Sequence, residues 1–186
     1  KGILKANAAE LLSPPPMAPN TTLRFPGKIA YNPDVDAFAI ADANHNQIVT
    51  VDHEGNVTRR IGSGSIGKKD GGFEVAEFFR PQGLCYEDGI IWVADTENHL
   101  LRKIDLENQT VETVAGTGAQ GGFLQGSGPA GKVGISSPWD VSLKDGWLYF
   151  ANAGTHQIGV YYIQEKEVAL FAGSGQESLT DAPRLV

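Results

Sequence analysis

Cysteine is nearly missing from this sequence: Cys85 stands alone among 186 residues. An internal disulfide is therefore excluded, and a disulfide-stapled secreted scaffold with it. A lone thiol fits a reducing compartment, so a cytoplasmic location is the expectation. Its setting, Gly83-Leu84-Cys85-Tyr86, reads as a strand in which Cys85 is a small buried hydrophobe. Positive charge is also short. Lys and Arg total 15 against 22 Asp and Glu, a net charge of −7. Domains that bind phosphate backbones carry the opposite surplus, so nucleic acid is not an expected partner. No apolar run approaches the roughly 18 residues of a membrane helix, so no membrane segment is expected in this portion. No signal-peptide pattern opens the chain. It begins at Lys1 rather than methionine, so a natural N-terminus, with any targeting segment, is expected upstream.

Several chemical signatures are missing as well. The four histidines, His45, His53, His99 and His156, form no His-x-His or His-x-x-x-His pair. The Gly-rich stretches 62–72 and 116–131 are not followed by Gly-Lys-Ser/Thr or a helix start, which argues against a nucleotide loop. There is no Gly-x-Ser-x-Gly elbow and no Cys-x-x-Cys. No catalytic, cofactor-binding or metal-binding residue is assigned from the sequence, and no cofactor is expected.

What the chain does have is an internal repeat. Three segments open on proline: Phe25-Pro26-Gly27-Lys28-Ile29, Arg80-Pro81-Gln82-Gly83-Leu84 and Ser137-Pro138-Trp139-Asp140-Val141. The prolines are 81 − 26 = 55 and 138 − 81 = 57 residues apart. A second block follows each opening: Ile40-Ala41-Asp42-Ala43-Asn44-His45-Asn46-Gln47-Ile48, Val93-Ala94-Asp95-Thr96-Glu97-Asn98-His99-Leu100-Leu101 and Phe150-Ala151-Asn152-Ala153-Gly154-Thr155-His156-Gln157-Ile158. A third block closes each repeat: Ile61-Gly62-Ser63-Gly64, Ala115-Gly116-Thr117-Gly118 and Ala172-Gly173-Ser174-Gly175. The repeats run over about 25–79, 80–136 and 137–186.

Each repeat divides into four short strands. In the second, Gly83 to Tyr86 follows a proline suited to a strand start, and Asp88-Gly89 is a hairpin turn. Ile90 to Ala94 is a near-continuous apolar run, as expected of a strand buried on both faces. His99 to Leu106 partly alternates, and Thr110 to Ala115 is rich in β-branched residues. No segment inside the repeats has helical periodicity. A four-stranded meander cannot bury both faces alone, whereas radial packing on copies of itself buries them and leaves only short edges. The fold class is therefore all-β, a partial β-propeller with three visible four-stranded blades, in preference to an open solenoid or sandwich. The innermost position is expected for strand one.

The Pro-x-Gly opening, the Ala-Asp-x-x-Asn-His-x-Ile block and the Ala-Gly-x-Gly ending are similar to NHL repeats. The long links narrow the resemblance. Lys69-Asp70-Gly71-Gly72-Phe73, Ala76-Glu77-Phe78, Val93 to Leu106 and Ile135-Ser136-Ser137-Pro138-Trp139-Asp140-Val141 resemble the NHL-repeat-containing protein 2 family, which includes plant suppressor-of-quenching relatives. The likeness runs from about Leu23 to Gly175. It implies a six-bladed NHL-type propeller, which at about 55 residues per repeat needs on the order of 330 residues. The remaining blades are thus expected from a missing C-terminal part, with Asp181-Ala182-Pro183 in the next link. It also implies a thioredoxin-like domain before the propeller. Residues 1–22 read as a Pro-rich linker from that domain, with a short helical turn over Ala8 to Leu12 and Pro14-Pro15-Pro16 stiffening the chain. Residues 23–186 are the partial propeller.

Two sets of residues are candidates for a role. The first is the turn series Asp42 and Asn46, Asp95, Asn98 and His99, and Asn152 and His156. An Asx side chain before a turn accepts backbone N–H bonds of that turn, so Asp95 is expected to accept from near Asn98 or His99. Propeller hydrolases of the lactonase type hold calcium through Asp, Asn and Glu, but from diverse positions around a channel. A series at one repeat position, with Asn152 lacking charge, reads instead as a structural brace, and the imidazoles as braces of their own turn or the adjacent blade. The second set is on the link Ser63–Arg80, which shares a face with those turns: Lys68, Lys69, Asp70, Phe73, Glu74 and Glu77 are partner-contact candidates. The expected function is an interaction scaffold with a protein partner. A calcium-dependent propeller hydrolase is the alternative.

Overall fold

The structure, a computed structural model, describes residues 23–176. The linker and the Asp181-Ala182-Pro183 link expected from the sequence lie outside the described residues. In chain order, the first blade is β1 (Pro26–Asn32), β2 (Ala37–Asp42), β3 (Gln47–Val51) and β4 (Val57–Ile61). The second holds β5 (Gly71–Gly72), β6 (Leu84–Glu87), β7 (Ile90–Asp95), β8 (Leu100–Asp105) and β9 (Thr110–Ala115). The third holds β10 (Ser127–Pro129), β11 (Pro138–Lys144), β12 (Trp147–Asn152), β13 (Gln157–Tyr162) and β14 (Glu167–Ala172). Among the described residues, helical structure is confined to three single 3-10 turns, Ala43–His45, Thr96–Asn98 and Ala153–Thr155, one before the third main strand of each blade.

The sheets are antiparallel meanders with two additions that the four-strand reading missed. Their orders are β1-β2-β3-β4, β5-β9-β8-β7-β6 and β10-β14-β13-β12-β11. In blades two and three the incoming link runs first to the outer edge and adds a fifth strand. Gly71 and Gly72 pair with Val111 and Thr110, and Ser127 to Pro129 pair with Ala169 to Glu167. The outermost strand of a blade exposes a row of backbone donors and acceptors, and the passing link satisfies part of it. The cue was weak because the added strands are two and three residues long and rich in glycine and proline.

The inner strands of the blades pack on one another, with β6 between β1 and β11. Lys28 of blade one bridges to Asp140 of blade three at 2.5 Å, so the three inner strands surround one axis. The approach is close: a Cβ on Gly83 would lie 2.3 Å from the Asp140 Cα, which only glycine permits.

Side-chain alternation explains the unbroken apolar runs. In β7, Ile91 and Val93 face blade one, while Trp92 and Ala94 face blade three. The first interface joins Ala39, Ala41, Ile48 and Ile61 to Leu84, Ile91, Val93 and Ile104. The second joins Trp92, Leu101 and Ala115 to Val141, Leu148, Phe150 and Tyr161. Each link contributes to the interface it crosses, Phe73, Ala76 and Phe78 to the first and Leu124, Ala130 and Ile135 to the second. Phe73, expected on the surface as a contact residue, is instead a core residue at 9% exposure. Loop position suggested exposure, but an aromatic ring beside an unfilled interface gains more by burial.

Candidate functional site

The repeated Asx residues each hold the chain as it enters their own blade. Asp42 Oδ1 accepts the Arg24 N–H at 2.7 Å, Asp95 Oδ1 the Phe79 N–H at 2.8 Å, and Asn152 Oδ1 the Ser136 N–H at 2.7 Å. Those donors are two residues before Pro26, Pro81 and Pro138. The sequence placed the donors in the Asx residue's own turn; the structure corrects this. The backbone donor comes from the incoming link, and the turn contributes a side chain three residues on. His45 Nδ1 lies 2.7 Å from Asp42 Oδ2, Asn98 Nδ2 donates to Asp95 Oδ2 at 2.8 Å, and Asn152 Nδ2 donates to Thr155 Oγ1 at 2.6 Å.

Between each clamped donor and its proline sits a strained residue. Phe25, Arg80 and Ser137 have φ of 53°, 48° and 44°. A left-handed conformation is unfavourable for a side-chain-bearing residue, and a following proline restricts its backbone further. The preceding blade supplies a second hold here. Asn46 Oδ1 accepts the Arg80 N–H and His99 Nδ1 accepts the Ser137 N–H, each at 3.0 Å. Asn46, His99 and His156 all end a 3-10 turn with φ near 53°. The Asx residue therefore ties a blade to its own entry, and the left-handed residue ties it to the next blade's entry. Burial pushes the His99 pKa down, which favours the neutral imidazole able to accept at Nδ1.

Blade two adds a charge that sequence reasoning missed. Arg102, fully buried in β8, donates through Nη1 to Asp95 Oδ2 and the Glu77 carbonyl at 2.8 and 2.9 Å. Its Nη2 donates to Asp70 Oδ1 and the Lys69 carbonyl at 2.8 and 3.1 Å. The guanidinium lies 5.1 Å from the Phe78 ring centroid. Asp70 also accepts from the backbone and hydroxyl of Thr113. Burial pushes the Asp95 carboxyl up to about 6, against the pull of Arg102, Asn98 and the Phe79 amide. The available signal was the repeat itself. Seven residues after each Asx stand Val49, Arg102 and Gly159, and an arginine at an inward strand position needs an anion.

The link candidates thus divide. Lys69 and Glu74 are exposed, Lys68 Nζ reaches the Gly118 carbonyl at 3.2 Å, and Glu77 is half-buried. Asp70 is engaged with Arg102 and Thr113, and Phe73 is buried. Exposed aromatics lie instead at the mouth of the axis. Phe25 and Trp139, 77% and 57% exposed, line a depression of about 420 Å3 with Arg80, Gln82, Glu97 and Asn44. Burial pushes the Cys85 thiol up to about 11, which leaves it protonated and unreactive at neutral pH. Among the described residues no group of three or more His, Cys, Asp and Glu could hold a metal ion.

This geometry can be set beside known proteins. The NHL repeat family model matches residues 78–104, from the Asx-clamped link through Arg102. The chain is 38% identical to NHL repeat-containing protein 2 of Gallus gallus over 95% of its length, which covers 27% of that protein. It is 43% identical to Protein SUPPRESSOR OF QUENCHING 1, chloroplastic, of Arabidopsis thaliana over 87% of its length, or 16% of that protein. It therefore spans about a quarter or less of these relatives. Among solved structures, a Bacteroides thetaiotaomicron protein of unknown function aligns over 76% of this chain and 34% of its own, with a TM-score of 0.65 and 24% identity. A putative gluconolactonase aligns over 80% and 48%, with a TM-score of 0.54 and 12% identity; at these identities the likeness is one of fold. Repeat blocks, radial sheets and relatives agree: the chain is an NHL-repeat β-propeller segment of the kind found in NHL repeat-containing protein 2 and its plant relative.

Proposed function

We propose that this chain is a rigid protein-interaction scaffold whose partner-facing surface is the end carrying the 3-10 turns and the long links. The observation that carries the reading is how the polar repeat residues are used. Asp42, Asp95 and Asn152 are each engaged in holding a blade entry, and Asn46 and His99 in joining blades. What that rigid frame leaves exposed around one depression is Phe25, Trp139, Arg80 and Glu97. Aromatic and arginine side chains dominate binding hot spots, and rigid display lowers the ordering cost of association. In a longer protein of this family, the partner of that surface includes an upstream thioredoxin-like domain or its client, and a cytoplasmic location accords with the single free thiol.

The test is affinity capture with the full-length protein, comparing the parent with Phe25→Ala/Trp139→Ala and with Lys144→Ala at the opposite end. The expected result is loss of specific partners in the double variant alone, with melting temperatures unchanged. Retention of the same partners by the double variant contradicts the reading. Calcium-dependent lactone or ester turnover by the parent would replace it with a hydrolase.

A further inference from the structure

The opposite end of the molecule holds a groove that the repeat pattern does not predict. It lies between blades one and two, opens beside the β1–β2 and β3–β4 turns, and has a volume of about 410 Å3. Its apolar walls are Ala37 and Ala39 of β2 against Ile91, Leu106 and Tyr86 of blade two. Counted back from the clamp residue, Ala39 and Ala37 (42 − 3 and 42 − 5) correspond to Trp92 and Ile90 (95 − 3 and 95 − 5). Between blades two and three, Trp92 is buried against the next blade. One interface further on, the corresponding space is a smaller depression of about 350 Å3, lined by Trp92 itself with Lys103, Glu112 and Tyr161. A hydrogen bond between blades, from the Tyr86 hydroxyl to Asp34, joins its two rims, and the same hydroxyl accepts the Gly89 N–H at 2.8 Å.

The turns around this end are acidic. Residues 33–36, 52–56 and 87–89 carry six carboxylates, Asp34, Asp36, Asp52, Glu54, Glu87 and Asp88, against one histidine, His53. Asp34 and Asp52 line the groove itself. Hydrogen bonds from Tyr31 and His53 hold the Asp36 carboxyl below its usual range, and the Asn56 side chain and amide do the same for Asp52, so both stay ionised well below neutral pH. Two cationic groups are nearby: the His53 imidazole, paired with Asp36, and Arg59 on the far wall toward the outer edge. The turn end of the groove is thus negative and its floor apolar.

We propose that this groove binds an extended basic segment of a partner protein, seating an apolar side chain against Ala37, Tyr86 and Leu106 above the buried Ala39–Ile91 contact, while lysine or arginine neighbours meet the Asp34 and Asp52 rim. The charge of the rim selects the partner's sign, and the open volume beside Ala37 admits the anchor. The site faces away from the surface proposed above and stands independently of it.

The test uses a chain holding the full propeller and three labelled eight-residue peptides: alternating lysine and leucine, alternating glutamate and leucine, and alternating lysine and glycine. Fluorescence anisotropy gives affinity, and amide chemical shifts give location. The lysine–leucine peptide is expected to bind with shifts centred on Ala37, Ala39 and Gly89. The glutamate–leucine and lysine–glycine peptides are expected to bind at least about tenfold more weakly, the scale of one buried apolar anchor or of a reversed rim charge. Ala37→Ile places in the groove the residue that blade two carries at the equivalent position and should weaken the lysine–leucine peptide about tenfold or more. Ala37→Val is the second, smaller filling variant, read if the first lowers the melting temperature. Asp34→Asn with Glu54→Gln should weaken binding and flatten its salt dependence. Undiminished binding by a folded filling variant overturns the proposal. So does equal binding of the lysine–glycine peptide, which would show an acidic surface and no groove, or no binding of the lysine–leucine peptide at millimolar concentration.

Discussion

Blades two and three perform the same backbone task with opposite chemistry. Both must anchor a long incoming link against the blade it enters. Blade two uses a buried ion network, in which Arg102 joins Asp95 to Asp70 and to two link carbonyls. Blade three uses a neutral one. Its clamp is Asn152, Gln157 brackets Leu124 through both its N–H and its carbonyl at 2.7 and 3.2 Å, and Thr155 bridges the two side chains. Where blade two has Arg102, blade three has Gly159, packed beneath the Phe150 ring. The repeat therefore requires a held link and leaves open whether charge or amide holds it. That is a structural criterion, and it explains why Asn replaces Asp at 152 without loss of the clamp.

The comparison breaks most sharply at Arg102. Replacing Arg102 by Ala strands the buried Asp95 carboxylate and two link carbonyls, with an expected cost of about 3–5 kcal/mol. In blade three, Asn152→Ala removes only neutral bonds and should cost about 1–3 kcal/mol. Asp95→Asn falls between, because it keeps an acceptor for Phe79 but leaves Arg102 with Asp70 as its one carboxylate partner beside the two link carbonyls. Denaturant unfolding of the three variants in a chain holding the full propeller tests the order; equal costs for Arg102→Ala and Asn152→Ala would erase the distinction between the blades.

A second effect is steric. A Cβ on Gly159 would lie 2.1 Å from the Phe150 ring. Gly159→Ala should destabilise by about 1–3 kcal/mol, as overpacking does, and Phe150→Leu in the same chain should recover part of the loss. A neutral Gly159→Ala would mean that blade three is looser than its packing shows.

The smallest effect is a pH dependence with two opposed limbs. His99 is depressed in the fold, so its contribution is present above its unfolded pKa of about 6.5 and is lost as pH falls through the folded value. Asp95 is raised to about 6, so the folded state gains relative stability as pH falls from there toward the unfolded value of about 3.9. His99→Asn keeps an acceptor for Ser137, as Asn46 does for Arg80 in the preceding blade, and should remove the His99 limb. Thermal melts between pH 4 and 8 distinguish the two; an unchanged profile in His99→Asn contradicts the assignment of His99.

The blades, their order and the two-sided burial of β7 were legible because strand alternation and turn residues leave local traces. The clamp residues were legible as a repeated column, but their donors were not. Arg24, Phe79 and Ser136 differ in type, and a backbone N–H leaves no mark on sequence. The fifth strands were hidden for a related reason, since Gly71–Gly72 pairs through its backbone alone. Arg102 and the Ala39 groove were visible only as departures from the column, where Val49, Arg102 and Gly159, or Ala39 and Trp92, fail to match. Phe73 was misplaced because long loops are usually superficial, whereas this link crosses an interface with room for a ring.

The Asx column holds the blade entries by direct hydrogen bonds to their backbone amides. Amide hydrogen exchange tests it most directly, followed at Phe79, Ser136, Arg80 and Ser137 in the parent, in Asp95→Ala, and in the parent with EDTA. The predicted result is slow exchange at all four amides in the parent, a selective loss at Phe79 in Asp95→Ala with Ser136 still protected, and no change with EDTA. Fast exchange at Phe79 in the parent, or a chelator that reproduces the variant's pattern, would contradict it.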